Sequence, residues 1–110
     1  MDPSLELEQI YVLHAEMCKV LSHPYRLRII DVLRGGEMPV TEIARAAGSS
    51  LTNVSQHLAL MRKQGVLTYR REGKSLYYRL ENPRLLEAFD ILRELLVERV
   101  RAEHELVGGR

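Results

Sequence analysis

Cysteine occurs only once in the chain, at Cys18, so no disulfide can close within it, and this usage fits a reducing cytoplasm. Apolar runs stop after a few residues, too short to span a membrane. The opening MDPSLELEQI is acidic and lacks an apolar core, which argues against a secretory leader there. No internal repeat or low-complexity tract is present. Also missing are a glycine-rich phosphate loop, a nucleophile elbow and a paired metal motif, and the four histidines, at 14, 23, 57 and 104, are scattered. The expectation is a protein with no catalytic site, no cofactor and no membrane partner.

What remains is 110 residues, enough for a single domain over 1–110, with an apolar content of 45% that can fill a modest core. The net charge of +1 is uninformative, but its distribution is not. Residues 1–22 hold one lysine against four carboxylates, net −3. Residues 62–79 hold Arg62, Lys63, Arg70, Arg71, Lys74 and Arg79 against Glu72 alone, net +5. Residues 83–106 hold four arginines against six carboxylates, net −2. A basic stripe between acidic ends reads either as a phosphate-binding surface or as a solvated loop.

Apolar periodicity predicts a first helix over 7–21, with Leu7, Ile10, Leu13 or His14, Met17 and Leu21 on one face. His23-Pro24 opens a second helix, with Leu27, Ile30 and Leu33 inward, and Gly35-Gly36 stops it. Pro39 precedes a short third helix that Gly48 ends. Ser49-Ser50 then caps a fourth helix, Leu51 to about Gln64, with Val54, Leu58 and Met61 as its stripe. Val66, Leu67 and Tyr69, then Ser75 to Tyr78, read as two strands about a turn at Glu72-Gly73-Lys74. Asn82-Pro83 opens a last helix over 83–106, and Val107–Arg110 reads as a frayed tail. The fold class is therefore mainly α with a β-hairpin: four helices, the hairpin and one long helix. Residues 40–64 have the parts of a helix-turn-helix, and the basic hairpin 66–80 has the place of a wing.

The stretches L-S-H-P-Y-R-L-R-I, V-S-Q-H-L-A-L-M and G-V-L-T-Y-R-R-E-G-K-S-L-Y-Y-R-L, within Leu21–Leu80, resemble the core of the ArsR/SmtB family of bacterial and archaeal repressors. The flanking helices are similar to the two that form that family's dimer interface. The resemblance implies a sequence-specific, double-stranded-DNA-binding transcriptional regulator, often a repressor of its own operon. It would be a homodimer joined through the first and last helices on a pseudo-palindromic operator. The last helix carries Leu85, Phe89, Leu92 and Leu96 as a coiled-coil-like seam, expected in the dimer interface with Leu13 and Met17.

In a helix-turn-helix the second helix meets base edges with its N-terminal residues. Ser50, Thr52, Asn53, Ser55, Gln56 and His57 stand there, and glutamine and asparagine pair two-pronged with adenine. Each also reads as an ordinary helix-start polar residue, and His57 as a packing residue. Leu51 departs from the polar residue usual in the family; it either meets a thymine methyl or staples the helix start. Arg70, Arg71 and Lys74, with Ser75 beside them, are placed to reach phosphates or the minor groove, and Arg62 a phosphate.

Both metal sites that recur in the family lack their ligands. Glu37-Met38-Pro39-Val40-Thr41 stands where a Cys-x-Cys motif would. The last-helix zinc pattern falls on Asp90, Leu92, Glu103 and Leu106, of which only Asp90 matches, with His104 off register by one. His14 and Cys18, four apart on one helix face, could chelate a metal or respond through the thiol, but Cys18 reads first as a buried, inert core thiol. The inducer stays open, and so do two alternatives: a thiol- or metal-responsive sensor using Cys18 and His14, and a winged-helix protein-interaction module.

Overall fold

A computed structural model describes residues 2–108. α1 (Pro3–Leu21) starts four residues before the periodicity does, because Asp2 caps it: its carboxylate accepts from the Ser4 N–H at 3.0 Å, and Pro3 takes the first turn. α2 (Pro24–Val32) is capped by His23, whose Nδ1 accepts from the Tyr25 N–H at 3.1 Å. A 3-10 turn, Leu33–Gly35, closes it. Two residues then form β1 (Met38–Pro39), followed by α3 (Val40–Ala47) and α4 (Leu51–Lys63). β2 (Leu67–Glu72) and β3 (Ser75–Leu80) make the hairpin, and α5 (Leu85–Gly108) ends the described chain. The tail expected to fray, Val107–Arg110, falls at the end of α5 and, from Gly109 on, outside the described residues.

α3 stops at Gly48, whose φ of 73° lies in the left-handed region open to glycine. The Ser49 N–H returns to the Ala44 carbonyl and the Gly48 N–H to Arg45, the paired bonds of a Schellman turn. Gly73, at φ 61°, does the same service in the hairpin, where Glu72 pairs with Ser75 across the two-residue turn Gly73-Lys74. Asn82 caps the last helix as expected, its side chain accepting from the Arg84 N–H at 3.0 Å. The first turn there is tight, with i to i−3 bonds from Leu85, Leu86 and Glu87, so the α-helix proper starts two residues late.

The sheet has the order β1-β3-β2, all antiparallel. Met38 and Pro39 pair with Tyr78 and Tyr77, a third strand that the hairpin pattern did not foretell. Beneath it lies one core: Ile29 and Ile30 from α2, Leu33 from the 3-10 turn, Ile43, Ala44 and Ala47 from α3, Val54, Leu58 and Met61 from α4, Val66 just before β2, and Leu67, Tyr78 and Leu80 from the hairpin. The inner face of α2 differs from expectation. Ile29 is fully buried, whereas Leu27 is 40% exposed and turns toward α5.

α1 and α5 do not join this core along their length. Only Val20 and Leu21 of α1 are buried, and α5 touches the body mainly through Leu85, Leu86 and Phe89. The chain is accordingly broad and thin, 58 × 47 × 21 Å, with a radius of gyration of 17.1 Å, against about 13 Å for a compact chain of about this length.

Candidate nucleic-acid interface

The inner face of α4 is fixed by three fully buried side chains, Val54, Leu58 and Met61. Helical geometry then sends Leu51, Thr52, Asn53, Ser55, Gln56 and Ala59 outward, and all six are exposed. Ser50 is the N-cap: its Oγ accepts from the Asn53 N–H at 3.1 Å. The Asn53 side-chain amide donates to Ser49 Oγ at 2.7 Å. Thr52, Ser55 and Gln56 make no intramolecular side-chain hydrogen bond among the described residues and line a shallow groove with Leu51 and Ala59. The helix thus presents a short strip of unengaged donors and acceptors framed by two apolar side chains.

His57 turns inward from that strip. It is half-buried, and its Nδ1 accepts from Arg26 Nε at 3.1 Å, which assigns its proton to Nε2. The rings of His23 and Tyr25 lie 4.9 and 5.0 Å away, and Arg26 also donates to the Val20 carbonyl at 2.8 Å. Burial pushes the His57 imidazole below its ordinary pKa, and the nearby charge of Arg26 and His23 adds to the effect. His57 therefore ties α4 to α2 and, through Arg26, to the end of α1.

The hairpin sorts its charges by strand alternation. Arg70 shares a face with Tyr77, its register partner, and its guanidinium lies 4.5 Å from that ring. Arg70 donates through Nε and Nη2 to Glu37, at 3.0 and 2.6 Å, and through Nη1 to Glu72 at 2.7 Å. The bond from Arg70 holds the Glu37 carboxyl below its ordinary pKa. Arg71 stands on the other face, with Lys74 in the turn and Ser75 next to it, all three exposed. Neither Arg71 nor Lys74 has an ion-pair partner among the described residues. Arg62, on the last turn of α4, stacks over Tyr69 at 5.0 Å and so fixes the hairpin against the helix. The basic stripe is therefore smaller than its sequence count, since Glu37, outside the stripe, neutralises Arg70.

The seam residues divide. Leu13, Leu92 and Leu96 are 56%, 52% and 49% exposed, while Met17, Leu85 and Phe89 pack in part against the chain's own core. Ile10 and Val100, together with Tyr11, Ile91 and Leu95, which the sequence did not single out, add to the apolar surface of the two outer helices. Between α2 and α5 runs an apolar groove of about 380 Å³, floored by Leu27, Phe89 and Leu92.

Cys18 corrects an expectation. It is exposed, because α1 has already left the body at that point; His14 is exposed beside it. Asp90, the residue matching the zinc pattern, is held by Arg34, which donates to both its oxygens at 3.1 and 2.8 Å and lowers its pKa. Arg34 also pairs with Asp31 at 3.1 Å, and Asp31 with Arg93, so four charges link α2 and the 3-10 turn to α5. His104, on the far part of α5, is exposed. Among the described residues no three His, Cys, Asp or Glu side chains are grouped to hold a metal ion, and no helix is long and apolar enough to cross a membrane.

Comparisons with known proteins agree with this geometry. The helix-turn-helix domain family matches residues 21–70. The HTH-type transcriptional regulator Rv0081 of Mycobacterium tuberculosis is 33% identical over 110 residues, which cover 96% of each chain. Its crystal structure superposes with a TM-score of 0.76 over 86% of this chain and 95% of that one, at 32% identity. The solution structure of Mb0332 from Mycobacterium bovis, described as a homodimeric winged helix-turn-helix DNA-binding domain of a possible ArsR-family transcriptional regulator, gives a TM-score of 0.64 at 32% identity. It covers 96% of this chain and 90% of that one. A biofilm growth-associated repressor of Xylella fastidiosa is 33% identical over 78 residues, 71% of this chain and 68% of its own.

Proposed function

The chain belongs to the ArsR-type winged helix-turn-helix transcriptional regulators, which are not enzymes, and we propose that it is a homodimeric repressor that reads a pseudo-palindromic operator with α4. One observation carries this reading: the exposed strip of α4 stands on the same molecule as a hairpin tip whose cations, Arg71 and Lys74, have no ion-pair partner among the described residues. Thr52, Ser55 and Gln56 supply the base-edge contacts, and Asn53, whose amide is bonded to Ser49, holds the helix start. Arg71 and Lys74, with Ser75 between neighbouring phosphates, and Arg62 supply the backbone contacts. Ser50, His57 and Arg70 act one step back. Ser50 caps the helix, His57 anchors it to α2, and Arg70 braces the hairpin through Glu37.

Dimerisation through α1 and α5 is supported by their exposed apolar surface, which a second copy would cover. The reading places the protein in the cytoplasm, acting on the promoter of its own operon.

The test is a binding titration of the protein on its own upstream duplex against a scrambled duplex, repeated across salt concentrations. Arg62, Arg71 and Lys74 of two protomers would neutralise about six phosphates, so log Kobs should fall with log salt at a slope of about −5. A flat salt dependence, or equal affinity for both duplexes, contradicts the proposal.

A further inference from the structure

We propose that Leu51 makes each operator half-site depend on the 5-methyl group of a thymine, about two base pairs from the adenine paired with Gln56. The inference rests on the DNA-reading function proposed above and names what that surface selects. Leu51 is the first residue of α4, yet it is 51% exposed and is not among the residues packed on the core. The alternative role, a hydrophobic staple, joins the residue before the cap to the fourth helical residue. With Ser50 as cap those positions are Ser49 and Val54, so Leu51 stands outside the staple.

The groove it lines contains Thr52, Ser55, Gln56 and Ala59. Leu51, Ser55 and Ala59 follow one another at four-residue spacing, an apolar edge interrupted by one small hydroxyl, with Thr52 and Gln56 alongside. Ser50 and Asn53 are committed to the cap and to Ser49, so the polar reading falls to the other three. In the major groove the thymine methyl is the one apolar group that base edges offer. A leucine set against cytosine N4 or guanine O6 would strip water from a polar group and return no hydrogen bond, so it discriminates by exclusion as well as by contact. From Leu51 to Gln56 the helix rises about 7.5 Å, and base pairs stack about 3.4 Å apart along a strand, which sets the two-pair offset.

The experiment first selects binding duplexes from a random pool with the intact protein. It then replaces each thymidine of the selected site by deoxyuridine, which removes only the methyl. For the parent protein one thymine per half-site should be sensitive. Affinity should fall about fourfold for one half-site and about 15-fold for both, the value of burying one methyl group each time. Leu51→Ala should bind the thymine duplex about as weakly as the parent binds the uracil duplex and should no longer distinguish the two. Leu51→Met should keep the distinction, and unchanged thermal unfolding of both variants will show that the helix is intact. A parent protein indifferent to uracil at every position, or an Leu51→Ala variant that still discriminates, overturns the inference while leaving DNA reading in place. Enrichment of no sequence at all overturns both.

Discussion

Replacing Leu92 and Leu96 together by alanine should separate the protomers without unfolding them. The two residues are 52% and 49% exposed on the single chain, so each keeps about half its surface for a partner. Full burial of a leucine side chain stabilises by about 1.5–3 kcal/mol, so the remaining half is worth about 1 kcal/mol. A two-fold axis counts each position twice, which brings the pair of substitutions to about 4 kcal/mol, nearly a thousandfold in the dimer dissociation constant. Sedimentation equilibrium from nanomolar to high micromolar protein reads this constant directly, and far-ultraviolet circular dichroism reports whether the helices persist. A constant within tenfold of the parent's would place the interface elsewhere. Loss of helix at all concentrations would mean that these leucines hold the protomer itself together.

Three further outcomes follow from the same contacts. Met61→Ala, at a fully buried position on the inner face of α4, should lower unfolding stability by about 2–5 kcal/mol in a urea titration, and a loss under about 1 kcal/mol would mean the site collapses freely. Arg71→Ala or Lys74→Ala should each reduce the salt slope of DNA binding by about two per dimer, whereas Arg70→Ala, whose charge Glu37 and Glu72 already satisfy, should leave the slope nearly unchanged. His57 has a folded-state pKa below its ordinary 6.5, so between the two values the unfolded chain takes up a proton that the folded one refuses. Stability should therefore fall as pH drops through about 6.5 and level off below the depressed value, and His57→Gln should flatten this window in melts at pH 7.5 and 5; equal slopes for both proteins would detach His57 from it.

Helix limits were legible because local chemistry writes them. Pro24, Gly48, Ser50 and Asn82 act on neighbours within a few residues, and each does in the structure what its type suggests. The outer face of α4 was equally readable, since burying Val54, Leu58 and Met61 leaves no choice about what points away. Long-range partners left no such trace. Two residues, Met38 and Pro39, are too few for a period, and their partners lie across α3 and α4 at Tyr77 and Tyr78. Arg70 meets Glu37 from 33 residues away, so counting charge within a window credited the surface with a cation that is already paired. Cys18 sits among apolar neighbours and so looked buried, but whether a helix face is covered depends on where the helix leaves the body, which Val20 and Leu21 decide. Asp90 was the one position that matched the family's zinc pattern; the structure gives it a guanidinium as partner.

The sheet order puts β2 at one margin and the two-residue β1 at the other. An open strand margin offers its backbone to any extended chain that comes near, and repressors crowded on neighbouring sites would bring such margins together. Here the β2 margin carries Arg70, Arg71 and Glu72 in succession, while β1 ends on Pro39, which has no N–H to donate. Stitching two hairpins edge to edge about Arg71 would therefore set that cation, which has no ion-pair partner among the described residues, against its own copy on one side and run out of donors on the other. Even densely packed, each hairpin should stay a separate arm and not become the seed of a shared sheet.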